Sequence, residues 1–253
     1  MEFHRKGNSG EELSGMTEFV KTVNSIDQQV IDDLYNGNVQ IFIIKNAVKE
    51  DVQKFGELEI QDLYLKKEVP IGKDESDHVL QEYDMMWHSD RAYNAVPHTF
   101  GGLYCVDYEE GASPTYFHDN IKGWQELPKD LQEKVKAEGP VFHSIRTYFD
   151  RADYPHNFRS KAYERHFKMN AKGNHSLYYN DKFGEYIFFS EGYANTKYLN
   201  ELKEHMFKPH NCYTHNWEVG DLVVWNNYTT AHRRDHTNPQ VKRKLIRYAF
   251  HAV

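Results

Sequence analysis

The sequence predicts a mainly β domain, a β-sandwich or jelly roll that carries peripheral helices. Three observations predict it. Short strand signals bounded by turn residues dominate from Gly102 onward, and helical periodicity is confined to the start of the chain and to insertions. The chain also lacks internal repeats, low-complexity tracts and a glycine-rich phosphate loop.

Residues 1–20 mix charges, glycines and serines and read as a flexible N-terminal arm, followed by a single domain over 21–253. Ser25-Ile26-Asp27-Gln28 has the form of a capping box, and Ile26, Val30, Ile31 and Leu34 recur at helical spacing until Gly37. The β-branched run from Val39 to Ile44 reads as a buried strand, and Lys49 to Gly56 as a short helix closed by glycine. Pro70, Gly72 and clustered charges mark a long loop and make 62–80 a candidate lid. Further strands are expected at Leu103–Tyr108, Ser176–Tyr179, Ile187–Phe189 and Leu245–Phe250. Tyr213–Trp217, the Val219-Gly220 turn and Asp221–Trp225 read as a hairpin. Two inserted helices are expected, one from Pro128 through Lys136 and one near Asn195–Met206.

Composition bounds the function. A chain of 253 residues with 39% hydrophobic and 15% aromatic content can bury a substantial core. A net charge of −7 argues against nucleic acid or an anionic membrane as the main partner. Only Cys105 and Cys212 are present, so a disulfide framework is not expected. The first twenty residues have no apolar core of a signal peptide, and apolar runs such as Ile41-Phe42-Ile43-Ile44 are too short to span a bilayer. A cytoplasmic protein is the expectation, as a monomer or a homo-oligomer.

The chemistry-bearing stretch is Trp87-His88-Ser89-Asp90, with His232 far downstream. A His-x-Asp pair and a distant histidine form the ligand set of a mononuclear non-haem iron site, which leaves open metal positions for oxygen chemistry. On an extended segment His88 and Asp90 point the same way. With 15 histidines and 38 acidic residues, roughly two such triplets arise by chance. The triplet alone is therefore equally a packed histidine bonded to a neighbouring acid.

Eleven residues after His232 comes Arg243, and four further Arg247, sharing a strand face with Leu245. Inward arginines need an anionic partner, and their planar fork suits a carboxylate. Alternatively Lys242, Arg243, Lys244 and Arg247 form an exposed basic edge strand. Tyr93, Phe100, Tyr104, Tyr116 and Phe117 supply aromatics for a pocket or for the core.

The segment from Trp87 to Tyr93, Pro97, and Gly111 to Phe117 resembles the iron- and 2-oxoglutarate-dependent dioxygenases of the taurine dioxygenase (TauD/TfdA) family. Gly37 to Ile44, Phe55-Gly56-Glu57-Leu58, and Trp217 through Asn227 with His232, Arg243 and Arg247 extend the resemblance over about Ile26 to Phe250. It implies a double-stranded β-helix of the clavaminate synthase-like kind, with Fe(II), 2-oxoglutarate and O2 as cofactor and co-substrates. His88, Asp90 and His232 are then the metal ligands, while Thr115 and Arg243 meet the distal carboxylate of 2-oxoglutarate. Arg247 matches an arginine facing the substrate's anionic group. Asp84, where taurine dioxygenase has an asparagine, favours a cationic group, so the implied substrate is a small zwitterion with Asp84, Tyr93 and Arg247 as its contacts.

The chain departs from the family in two places. Its glycine-rich turn is Ala112-Ser113-Pro114-Thr115 here, leaving Thr115 or Ser113 as source of the hydroxyl. Glu59-Ile60-Gln61-Asp62 lacks a histidine found in taurine dioxygenase, which argues against taurine itself. Asp90 stands where related halogenases carry a small residue, so oxygenation is implied and halogenation is not. Desaturation, cyclisation or epimerisation follow from the same cofactors. A non-catalytic jelly-roll metal-binding module is the other class to weigh. A zinc hydrolase has only His210, His215 and scattered histidines to draw on, with neither a His-Glu-x-x-His helix nor a nucleophile elbow.

Overall fold

A computed structural model describes residues 17–60, 66–72, 85–90, 98–137, 142–143, 163–164, 167–169, 175–177, 196–236, 238 and 240–251. Two sheets carry the architecture. The larger has six strands in the order β1 (Glu18–Val23), β2 (Val39–Ile44), β12 (Leu222–Asn226), β5 (Phe100–Tyr108), β14 (Arg243–Phe250) and β3 (Val69–Ile71). The smaller has four, in the order β11 (Cys212–His215), β6 (Thr115–Asp119), β13 (Thr230–Arg234) and β4 (Met85–His88). From β3 to β6 and again from β11 to β14, successive strands alternate between the two sheets, the arrangement of a jelly roll. Two short strand pairs complete the described β structure, β7 (Phe142–His143) with β8 (Tyr163–Glu164) and β9 (Phe167–Met169) with β10 (His175–Leu177).

Hydrophobic pattern decides where each element goes. Every residue of β2 is buried, because one face packs on helix α1 (Gln28–Tyr35) and the other lies between the sheets. Val30 and Leu34 of α1 join Phe42, Ile44, Phe55, Phe100, Leu222, Val224, Tyr248 and Phe250 in an outer core. Ile41, Ile43, Leu103, Phe117, Trp217, Val223, Trp225 and Leu245 fill the space between the sheets. That second core forms the floor on which the site rests.

Several sequence expectations are met and several shift. Helix α1 is capped by Asp27, whose Oδ1 accepts from Val30 N at 3.0 Å, so the capping residue is two places beyond Ser25. Gly37 follows at φ 69°, the left-handed conformation glycine adopts cheaply. Lys49–Phe55 is a 3-10 helix. The strand β1 begins at Glu18, inside the stretch expected to be an arm, and pairs in parallel with β2. The loop expected to act as a lid contains β3, antiparallel to β14, while 61–65 and 73–84 lie outside the described residues, as does Ile187–Phe189.

The expected hairpin is a correction. β11 pairs with β6 in the small sheet and β12 with β2 and β5 in the large one, so the segment between them crosses from one sheet to the other. Asp221 anchors this crossover: its carboxylate accepts from Glu218 N at 3.0 Å and from Lys45 Nζ at 3.0 Å. A turn with Gly220 at φ 88° looks the same in sequence whether the strands return to each other or part. The inserted helices are α2 (Asn120–Gln125), α3 (Lys129–Ala137) and α4 (Thr196–Met206), and α2 was not expected.

Candidate metal centre and anion pocket

β13 lies between β6 and β4, and its His232 faces His88 directly across the ladder. Their rings stand 4.2 Å apart between centroids. Strand β4 ends at His88, so Asp90 reaches the same place through the following turn instead of along an extended strand. His88 Nε2 and His232 Nε2 lie 3.9 and 3.8 Å from Asp90 Oδ1. Donor atoms of all three residues fall within 4.8 Å of one another and all three side chains are buried, which makes them the one such group found among the described residues.

The protonation states suit a cation. His88 Nδ1 sits 2.7 Å from the Met86 carbonyl, so it carries the proton and leaves the Nε2 lone pair for a metal. Burial, with the adjacent His88, pushes His232 down to about 3 and keeps it neutral. Burial opposes ionisation of Asp90, but the Arg247 guanidinium and the hydrogen bond from His98 outweigh it and hold the carboxyl well below its usual range. Two neutral imidazoles and one carboxylate are a donor set that fits Fe(II).

The turn carrying Asp90 is fixed from the large sheet. Asn227 Oδ1 accepts from Asp90 N at 2.8 Å, and Asn227 Nδ2 donates to Asp90 O at 2.9 Å and His98 O at 3.1 Å. Ser89 donates to Thr230 O at 2.8 Å, pinning the turn to β13 as well. His98 Nε2 lies 3.7 Å from Asp90 Oδ2. Neither Asn227 nor His98 was singled out from sequence; a buried asparagine immediately after an apolar strand was the available signal.

The open side of the triad faces a cleft enclosing about 490 Å³, open solvent at its mouth included. Its apolar walls include Leu103, Trp225 and Leu245. At one end Arg243 Nε donates to Ser113 O at 2.9 Å and Nη2 to Thr115 Oγ1 at 3.1 Å, while Trp217 Nε1 donates to that same Oγ1 at 3.0 Å. The hydroxyl in the cleft is therefore that of Thr115, since Ser113 Oγ turns away to Asp235 O at 3.1 Å. Arg243 is 7% exposed and its described partners are neutral. Burial and the nearby Arg234 lower its pKa to about 9, which marks a cation in want of an anion.

β14 lies inside the large sheet between β5 and β3, so the exposed basic edge does not form. Arg247 also lines the cleft, with Nη1 3.7 Å from Asp90 Oδ1, beside the candidate metal ligands. Asp84 and Tyr93 lie outside the described residues. Of the remaining aromatics, Phe100 stacks on Tyr35 and Phe250 in the outer core, Phe117 packs on Trp225, and Tyr116 lies under Arg233. His210 pairs with Glu126 and His215 with Asp221, so neither joins a histidine cluster suited to zinc.

A family model described as taurine catabolism dioxygenase TauD, TfdA family, matches residues 35–249. An alpha-ketoglutarate-dependent 2,4-dichlorophenoxyacetate dioxygenase of Burkholderia sp. (strain RASC) is 24% identical over 170 residues, 65% of this chain and 57% of the relative. A pentalenolactone F synthase of Streptomyces arenae is 24% identical over 179 residues, 64% of this chain and 60% of the relative. The chain thus spans less than two thirds of the length of these curated relatives. Among solved structures, AAD-2 in complex with Mn(II) and N-oxalylglycine superposes with a TM-score of 0.75 at 20% identity, covering 94% of this chain and 96% of that one. A taurine dioxygenase from Burkholderia xenovorans gives 0.64 at 15% identity, covering 93% and 88%.

Proposed function

Because the chain belongs to the taurine catabolism dioxygenase TauD/TfdA family, we propose that it is an Fe(II)- and 2-oxoglutarate-dependent oxygenase. It hydroxylates an unactivated C–H bond of a small, amino-acid-like zwitterion and releases succinate and CO2. The observation that carries this reading is the meeting, in one cleft, of the His88–Asp90–His232 donor set with the Arg243–Thr115 anion pocket.

His88, Asp90 and His232 would hold the iron. Bound there, iron supplies the O2 activation that couples oxidative decarboxylation of 2-oxoglutarate to oxidation of the substrate. The chain's own residues bind and orient. Arg243 directs its fork, and Thr115 its hydroxyl, at the end of the cleft where the far carboxylate belongs. Leu103, Trp225 and Leu245 keep that end dry, which strengthens each charge-assisted contact. Arg247, beside Asp90, offers a cation to the substrate's acid group, and Asp84 an anion to its amine.

Two measurements test the reading. Anaerobic addition of Fe(II) and 2-oxoglutarate is expected to give a weak visible charge-transfer band, and its absence overturns the proposed cofactor use. A screen of amino acids and small organic acids is then expected to find substrate-dependent succinate formation. Unchanged substrate preference in Asp84→Asn and Asp84→Ala would remove the zwitterion from the proposal.

A further inference from the structure

Four arginines border the cleft, and the roles above use only Arg243 and Arg247. The other two, Arg233 and Arg234, are neighbours on β13 and must face opposite ways. Arg233 turns outward, its guanidinium 4.0 Å over the Tyr116 ring and 5.3 Å from that of Trp87. Arg234 therefore turns inward, on the face that carries His232, and is 6% exposed.

Register places it further. The β13–β6 ladder pairs Thr230 with Asp119, His232 with Phe117 and Arg233 with Tyr116. One more step sets Arg234 beside Thr115. Thr115 in turn pairs with His215 across β6 and β11, so an inward row of His215, Thr115 and Arg234 crosses the small sheet. Arg243 reaches the middle of that row from the large sheet, through its 3.1 Å bond to Thr115 Oγ1. Arg234, Arg243 and Thr115 all line the same cleft. Two guanidiniums that reach one cleft from opposite sheets offer planar forks suited to a carboxylate.

We propose that Arg234 is a further specificity-determining residue, gripping the distal carboxylate of the 2-oxo acid together with Arg243 and Thr115. The pocket then selects dicarboxylic 2-oxo acids by two arginines, one from each sheet. This inference rests on the 2-oxoglutarate dependence proposed above and assigns a residue that the sequence resemblance does not.

The test is anaerobic calorimetric titration of the Mn(II)-loaded protein with 2-oxoglutarate and with 2-oxobutyrate, which lacks the distal carboxylate. Arg234→Met is expected to weaken 2-oxoglutarate binding about tenfold or more while changing 2-oxobutyrate binding by less than about twofold. Arg234→Lys, which keeps the charge and loses the fork, is expected to fall between. Equal weakening of both acids in the two variants overturns the proposal, because a general loss of structure or metal acts on both. Unchanged 2-oxoglutarate affinity overturns it as well, whether or not a raised KM for the primary substrate accompanies it. Failure of the wild-type protein to bind 2-oxoglutarate is a different result, which overturns the cofactor reading itself.

Discussion

The side-chain amide of Asn227 bonds both backbone groups of Asp90, accepting from its N–H at 2.8 Å and donating to its carbonyl at 2.9 Å. Asp90 sits on a turn, where the chain has no ladder of its own to fix it, so this pair of bonds sets the height of the carboxylate against the two histidines. Asn227→Ala is expected to lower stability by about 2–4 kcal/mol, because it strands a buried donor and a buried acceptor. It is also expected to weaken metal binding by roughly 10–100-fold, as losses behind a ligand commonly do. Titration of Fe(II) or Mn(II) into wild type and variant, beside their melting curves, checks both numbers.

Arg243 stands against Ser113 O and Thr115 Oγ1 through two different nitrogens, which only a planar fork satisfies at once. Arg243→Lys is expected to raise the KM for 2-oxoglutarate at least about tenfold, with a smaller effect on the KM of the primary substrate. Steady-state kinetics varying each substrate separates the two. A change confined to the primary substrate would place the co-substrate elsewhere.

Gly101 lies directly opposite Trp225 in the β5–β12 ladder. A Cβ there would fall 2.3 Å from Cζ2 and 2.5 Å from Cε2 of the indole, in a core with no room to retreat. Trp225 also packs 5.0 Å from the ring of His232, centroid to centroid. Gly101→Ala is expected to cost about 1–3 kcal/mol and to weaken metal binding through the displaced indole. Thermal unfolding with and without Mn(II) reads both, and an unaltered melting temperature would show that the core yields there.

Asp221 carries the acid dependence of the crossover. Burial disfavours its charge, but His215, Lys45 and the Glu218 N–H outweigh burial and hold its pKa below the ordinary value. A carboxylate depressed in the folded state adds stability above its unfolded pKa, near 3.9, and loses it as pH falls through the lower folded value. Wild-type stability is therefore expected to drop as pH falls below about 4, and Asp221→Asn to flatten that part of the curve. At neutral pH the same variant is expected to cost about 2–3 kcal/mol, since Lys45 loses its buried partner. Chemical denaturation between pH 3 and 7 measures both.

These sites were unequally legible in the sequence. His88, Asp90, His232, Thr115 and Arg243 are chemistry-bearing types in a recognisable order, so the pattern that marks them survives without coordinates. The strand β2 was legible because burial on both faces leaves an apolar run, and β5 and β14 through their aliphatic and aromatic stretches Leu103–Tyr108 and Leu245–Phe250. The short strands β4, β6 and β13 were not, because they carry histidines, arginines and aspartate where a strand pattern expects apolar residues, and Pro70 hid the three-residue β3. Sheet membership was hidden for a different reason. The Val219-Gly220 turn gives no local sign of whether the flanking strands pair, and only the two packed cores decide that. Arg234, two residues after His232, was open to the alternation of a strand, but without coordinates nothing marked Thr230–Arg234 as one.

The two sheets contribute different halves of the cleft. His232, His88 and the turn bearing Asp90 belong to the small sheet, and Arg243 and Arg247 to β14 of the large one. On the proposed function, a metal with a bound 2-oxo acid would act as a further rivet between two layers already joined by apolar packing and by the Arg243–Thr115 and Asn227–Asp90 bonds. Occupancy and rigidity become one variable: at a hundredfold excess over Kd a ligand of the folded state adds about 2.7 kcal/mol to its stability. Amide hydrogen exchange would register loading as slowed opening on both sheets together, in β13 and in β14. The loaded protein would then also be the stiffer one, and a shortage of the metal or of the 2-oxo acid would show in how readily its layers part.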